Sequence, residues 1–355
     1  MDKLWWNQVP NALRFVNAIV DELQDEKNVV LALPQYVPWY LCFRELIESL
    51  KAQLLSNYVI KNITDDESKE PGEITLNSFC KKELRDDFRP AIGFGKFLAD
   101  TNNTLNNHIA WIKVTSLERV NKWSQFISDY SKQKKSYGEG LFVVEVLESE
   151  KLNSSKGITV VSYSEYISEF DYYIFNILGS SVLSLSKYLK EYFAEVLTAV
   201  VGNDVELAAQ CFFNEVYKGF LENPAETIKT IIGQESRSDG EYFTFPKDQS
   251  QVEMDVWKAQ IKNLFPKIEA YREEFAKIYS SEIAMNLPIS TSYGEEYELP
   301  EEVELGTLYY LAKNKMINIS TADYSKLKCF KDARNKLAHL NSLTFNEVND
   351  LLAYI

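Results

Sequence analysis

Apolar positions along the first 165 residues follow two alternating periods. Residues 9 to 23 place Val9, Leu13, Val16, Ile19, Val20 and Leu23 at helical spacing, with Asp21, Glu22, Asp25 and Glu26 at the far end. That spacing predicts an amphipathic helix, which Trp5 and Trp6 help to cover. Asn28 to Leu33 then runs apolar without interruption as far as Pro34, the pattern of a strand buried on both faces. The loop Gln35-Tyr36-Val37-Pro38 leads to a helix from Trp39 to Ser56, and Tyr58 to Ile63 returns to strand character. Strand, loop, helix and strand make a βαβ unit.

Three further apolar runs, at 108–114, 141–147 and 158–162, read as strands, with a helix from Leu117 to Lys132 after the first of them. Between the runs, residues 64 to 75 read as an acidic surface loop, 77–85 and 95–100 as short helices, and 102–107 as a polar connector. Gly93-Phe94-Gly95-Lys96 follows Arg89-Pro90 and no strand, so it reads as a turn before a short helix. Five apolar strands separated by helices or turn-rich loops predict an α/β domain with a mostly parallel five-stranded sheet covered on both faces.

After Ser164 the period becomes helical. Helices are expected at 184–201, 205–221 and 224–232. A polar, glycine-containing stretch at 233–251 marks a boundary. A long helical stretch over 252–279 is expected to break at Pro266. A loop at 287–300 containing Glu295 precedes helices at 301–315, 321–339 and 344–354. The expected organisation is an α/β domain over 1–164, a helical domain over 165–240 and a second helical domain over 252–355.

Composition sharpens this picture. With 355 residues, 45% of them hydrophobic, the chain can fill more than one core. Its 38 Lys and Arg against 52 Asp and Glu give a net charge of −14, which disfavours non-specific DNA binding unless a local patch overrides the mean. Cys42, Cys80, Cys211 and Cys329 stand apart, so neither a disulfide frame nor a zinc site is expected. With two histidines in the chain, His108 and His339, a metal centre is not expected either. No secretory signal or membrane-length apolar run is visible, and a cytoplasmic protein without membrane contact or cofactor is the expectation.

In element order, residues 25 to 235 resemble the AAA+ and STAND branch of the P-loop ATPases, with the helices after the sheet placed like a lid. A working phosphate loop needs glycines for close backbone approach, a lysine for the terminal phosphates and a hydroxyl for magnesium. The first strand is followed instead by Pro34-Gln35-Tyr36-Val37-Pro38-Trp39-Tyr40. The acidic residues expected at the end of the third strand are represented only by Glu118, late in Lys113-Val114-Thr115-Ser116-Leu117-Glu118. The resemblance therefore implies a degenerate module that does not hydrolyse ATP.

Near the end of the chain, Arg334-Asn335-Lys336-Leu337-Ala338-His339 resembles the R-polar-x-x-x-H motif of HEPN-domain proteins. Many of these are metal-independent RNases in toxin–antitoxin and phage-defence systems, and they are typically dimers. The resemblance implies candidate catalytic residues: His339 as general acid and base, Arg334 stabilising the phosphate, and Asn335 orienting. The chemistry suits the residue types, because imidazole titrates near neutrality and a guanidinium matches phosphate. Five residues span about 140° of helical rotation, so one straight helix does not bring Arg334 and His339 to one face. A break or a second protomer is required.

The same residues also have a structural role open to them. His339 lies near an expected helix C-terminus, where it would complement the macrodipole, and Thr344-x-x-Glu347 is a capping box that restarts the helix. Two functions follow as expectations. One is an interaction subunit of a larger defence or regulatory complex, with protein partners or a homodimer. The alternative is a HEPN-type RNase acting on RNA through Arg334 and His339, in a region made locally basic by Lys326, Lys328, Lys331 and Lys336.

Overall fold

Burial on both faces is what turns the apolar runs into strands. A computed structural model of the chain describes residues 1–101, 104–133, 140–149, 152–213, 215–290 and 296–355. In it, β1 (Asn28–Leu33), β2 (Val59–Thr64), β3 (His108–Lys113), β4 (Leu141–Leu147) and β5 (Ile158–Ser162) form one sheet in the order β2-β3-β4-β1-β5. Every neighbouring pair is parallel. β1 lies inside the sheet with all six residues buried, whereas β2 at the edge exposes most of its side chains. Parallel neighbours need crossovers: helix Leu117–Gln133 supplies the one between β3 and β4, while helix Tyr40–Leu54 carries the chain from β1 to the non-adjacent edge strand β2.

Alternation along the strands divides the side chains between two faces. Val30, Ile63, Ala110, Ile112, Phe142 and Val144 share one core with Val120, Trp123, Phe126 and Tyr130 of the Leu117–Gln133 helix. Phe142 meets the rings of Phe126 and Tyr130 edge-on, with centroids 5.8 and 5.7 Å away. Asn62, Trp111, Lys113 and Glu145 alternate onto the opposite face, and register sets Asn62 beside Trp111 and Lys113 beside Glu145.

The chain divides into two compact units, Met1–Asp171 and Tyr172–Ile355. The first is the expected α/β domain. The second is helical, and it contains both of the helical stretches distinguished above. Its helix Lys187–Val201 packs along the long helix Gln249–Ile278. No helix among the described residues is long and apolar enough to cross a membrane.

Three local expectations change. The acidic loop expected to reach residue 75 gives way to a helix at Pro71–Phe79, with proline in its first turn and Ile74, Thr75 and Leu76 buried. The helix expected over 205–221 is two, Val205–Gln210 and Val216–Glu222. The long helix passes through Pro266 without ending. Its buried residues Leu264, Ile268, Tyr271 and Phe275 hold both sides of the proline in place, and the Lys267 ammonium donates to the Asn263 carbonyl at 2.9 Å. Tertiary packing overrides the proline's helix penalty there. Residues 102–103 of the expected connector, and 291–295 of the loop with Glu295, lie outside the described residues.

Gly93 precedes the Phe94–Asp100 helix with φ +79°, as a turn before a short helix requires. A Cβ on Gly95 would come within 3.0 Å of the Tyr130 backbone, so this glycine serves close helix packing.

Candidate functional site

The motif near the C-terminus sits on helix Thr321–Ala338, which Ser320 caps by accepting from the Asp323 backbone at 3.0 Å. Leu327, Phe330, Ala333 and Leu337 form its buried stripe. Arg334 and Asn335 follow Ala333 and are half-buried, and His339 is exposed as the first residue beyond the last turn. The helix is continuous from Arg334 to Ala338, so the rotation of about 140° between the two positions is preserved. The break comes at His339 itself and not between the pair.

Charge around the motif is largely committed. The Arg334 Nη2 lies 3.6 Å from the Glu304 carboxylate, which precedes helix Leu305–Lys313. Lys336 pairs with Glu347 at 2.7 Å and Lys331 with Asp332 at 2.6 Å. Lys326 lies over the Tyr271 ring, 5.0 Å from its centroid. Among the described residues, no hydrogen bond or ion pair links Arg334 to His339. Asn335 contributes its carbonyl, which accepts from the His339 backbone at 3.2 Å.

The chain leaves the helix through two reversed backbone bonds, Leu340 N–H to Leu337 O at 3.2 Å and Asn341 N–H to Lys336 O at 3.1 Å. This is a Schellman termination, in which the residue after the cap takes the left-handed conformation and is usually glycine. Here it is Leu340, with φ +60° and 64% exposed. Leu340→Gly is therefore expected to be stabilising by up to about 1 kcal/mol, since it relieves left-handed strain without removing a buried contact. Urea unfolding measures this, and a lower midpoint would show that the leucine carries a contact of its own.

Past the turn, Thr344 and Glu347 form the expected capping box that starts helix Phe345–Ala353. Burial pushes the Glu347 carboxyl up, but Lys336 and the Thr344 donors outweigh it and hold the group below the usual glutamate range. A depressed folded value stabilises above the unfolded value and is lost as pH falls through the folded one. Glu347→Gln is expected to flatten the acid limb of the unfolding midpoint against pH below about 4.5.

The corresponding functional location in the first unit is the crevice outside the carboxyl ends of the strands. In the loop after β1, Pro38 is buried and its carbonyl accepts the Trp6 indole N–H at 2.9 Å. Tyr40, opening the next helix, donates its hydroxyl to Glu145 at 2.6 Å, and Trp111 donates to the same oxygen at 3.1 Å. The Lys113 ammonium reaches the other Glu145 oxygen at 3.4 Å. Burial and the bond to Glu145 push the Tyr40 hydroxyl up to about 12, so it stays a donor at neutral pH. Glu118 lies in the first turn of its helix and pairs with Lys122 at 3.1 Å.

Sequence reasoning passed over this cluster. Its one local signal was Glu145, the sole charge in the run Leu141-Phe142-Val143-Val144-Glu145-Val146-Leu147. The other histidine, His108, opens β3 and donates from Nδ1 to the Asn106 carbonyl at 2.8 Å. Among the described residues, no group of three or more His, Cys, Asp and Glu side chains is placed to hold a metal ion. No protein-family model matches the chain, and no curated protein matches it either.

Proposed function

We propose that this protein is a binding and scaffolding subunit of a larger regulatory or defence assembly. In this reading its α/β unit is a P-loop-like module, of the AAA+ and STAND type, that does not hydrolyse nucleotide, and its second unit carries a HEPN-like helical region. The observation that carries the reading is the turn after β1. Where a hydrolysing module needs glycines, a lysine and a hydroxyl, this turn holds Pro34, Pro38, Trp39 and Tyr40, with Pro38 and Tyr40 hydrogen-bonded to Trp6 and Glu145. Millimolar Mg–ATP should leave the thermal midpoint unchanged and release no phosphate. Turnover that survives purification to homogeneity would overturn the reading.

One observation favours a second reading, the metal-independent RNase: His339 is exposed, as a general acid and base must be. The 140° offset from Arg334 and the pairing of Arg334 with Glu304 then require a second protomer to complete the site. Total RNA incubated with wild-type, Arg334→Ala and His339→Ala proteins separates the two readings. Intact RNA in all three supports the scaffold. Cleavage by the wild type alone replaces it with the nuclease.

A further inference from the structure

Beside the Glu145 cluster, an open crevice of about 450 Å³ lies between helix Tyr40–Leu54 and the β2–β3 edge of the sheet. Its floor is Trp111, with Arg44 stacked over the indole 3.6 Å from the ring centroid. Arg44 donates to two neutral acceptors, the Tyr40 hydroxyl at 3.3 Å and the Asn62 carboxamide oxygen at 2.8 Å. Its Nε is buried without a hydrogen-bond partner. A guanidinium has five N–H donors, and the bonds to Tyr40 and Asn62 leave one further N–H on each of Nη1 and Nη2 for another acceptor.

Lys113 adds to the same demand. Its side chain is 77% exposed, and its carboxylate neighbour Glu145 already accepts from Tyr40 and Trp111. Arg44 and Lys113 are the two cations of the crevice, and Glu145 is paired with Lys113 alone among the described residues. On the outer side of the crevice, Glu45 and Glu48 are exposed on the same helix as Arg44. They oppose any ligand carrying several negative charges, while a single negative charge placed between Arg44 and Lys113 meets both cations. Leu41, 71% exposed at the mouth, offers apolar surface to the rest of such a ligand.

We infer that this crevice is a binding site for a small monocarboxylate with an apolar body, its carboxylate held by Arg44 and Lys113 above Trp111. Planar carboxylates match an arginine fork, and the acidic rim discriminates against polyphosphates. The inference goes beyond the scaffold and nuclease readings: the crevice shares Tyr40 with the turn after β1, but it needs neither nucleotide hydrolysis nor the C-terminal motif.

Sodium benzoate is the probe, with acetate, inorganic phosphate and ATP as comparisons, titrated into the 355-residue chain labelled with 5-fluorotryptophan. Benzoate is expected to shift the Trp111 fluorine resonance saturably. Lys113→Met should weaken binding by about tenfold, and Arg44→Met by more, with far-UV circular dichroism checking the fold because Lys113 also pairs with the buried Glu145. Phosphate and ATP should bind more weakly than benzoate. The assignment is overturned if benzoate and acetate give no saturable shift at millimolar concentration, or if Lys113→Met binds as the wild type does. It is equally overturned if phosphate or ATP binds more tightly than benzoate.

Discussion

Asp65→Ala is expected to cost the first unit about 3–5 kcal/mol, the loss typical of stranding one member of a buried ion pair. Arg119 and Asp65 side chains are 4% and 6% exposed. The guanidinium grips the carboxylate through Nε at 2.8 Å and through Nη2, and a further nitrogen donates to the Lys69 carbonyl at 3.0 Å. Trp123 adds its indole N–H to the same carboxylate at 3.0 Å. The bonded carboxylate raises the already high pKa of Arg119, so deleting it leaves a buried cation that cannot discharge.

Replacing both members, as Asp65→Leu with Arg119→Met, should cost clearly less than Asp65→Ala, because no charge is then left behind. Urea unfolding monitored at Trp123 gives both values. A single-variant loss under about 1 kcal/mol would mean that water reaches Arg119 and that the pair acts as a surface bridge.

Asp65 also marks the limit of what the amino-acid pattern discloses. Its neighbours Asp66, Glu67, Lys69 and Glu70 are exposed or half-buried, as acidic segments usually are, and nothing local separates Asp65 from them. Its partner lies 54 residues away. Strands β1, β3 and β4, in contrast, were legible because double-sided burial writes itself as largely apolar runs such as Val29–Leu33, whereas the edge strand β2 is mostly exposed. The strand order was not, since pairing β1 between β4 and β5 depends on crossovers that no local period encodes. Pro266 was misread for a related reason: a helix-breaking residue is a local signal, and the packing of Leu264 and Ile268 on either side is not. The spacing of Arg334 and His339 and the Thr344–Glu347 box were readable. The pairing of Arg334 with Glu304 was not, because many carboxylates in an acidic chain could have served.

Gln260→Met should lower the stability of the second unit by about 3 kcal/mol or more and release the turn that carries His339. Gln260 is fully buried in the long helix, and its carboxamide takes the place of a backbone partner for Leu343. The Leu343 N–H donates to its oxygen at 2.7 Å, and its nitrogen donates to the Leu343 carbonyl and to the Tyr192 hydroxyl, each at 2.9 Å. Methionine fills a similar volume but supplies none of these bonds. It leaves a backbone N–H and C=O unsatisfied, at about 1–3 kcal/mol each. Burial pushes the Tyr192 hydroxyl up to about 12, so ionisation offers it no relief.

Trp257 makes the outcome readable in place. It is the only tryptophan of the second unit, one turn before Gln260 in the same helix, and it donates to the Leu337 carbonyl at 2.8 Å. Its fluorine resonance in a 5-fluorotryptophan-labelled protein should shift in Gln260→Met, while the five tryptophans of the first unit report no change. Amide exchange at Leu343 should accelerate at denaturant concentrations too low to unfold the unit. Wild-type exchange at Leu343 together with a loss under about 1 kcal/mol would show that the turn is held by Trp257 and the capping box alone. Slow exchange with a large loss would instead place the Leu343 contact inside the global unfolding unit, fixing His339 and Arg334 in one rigid frame.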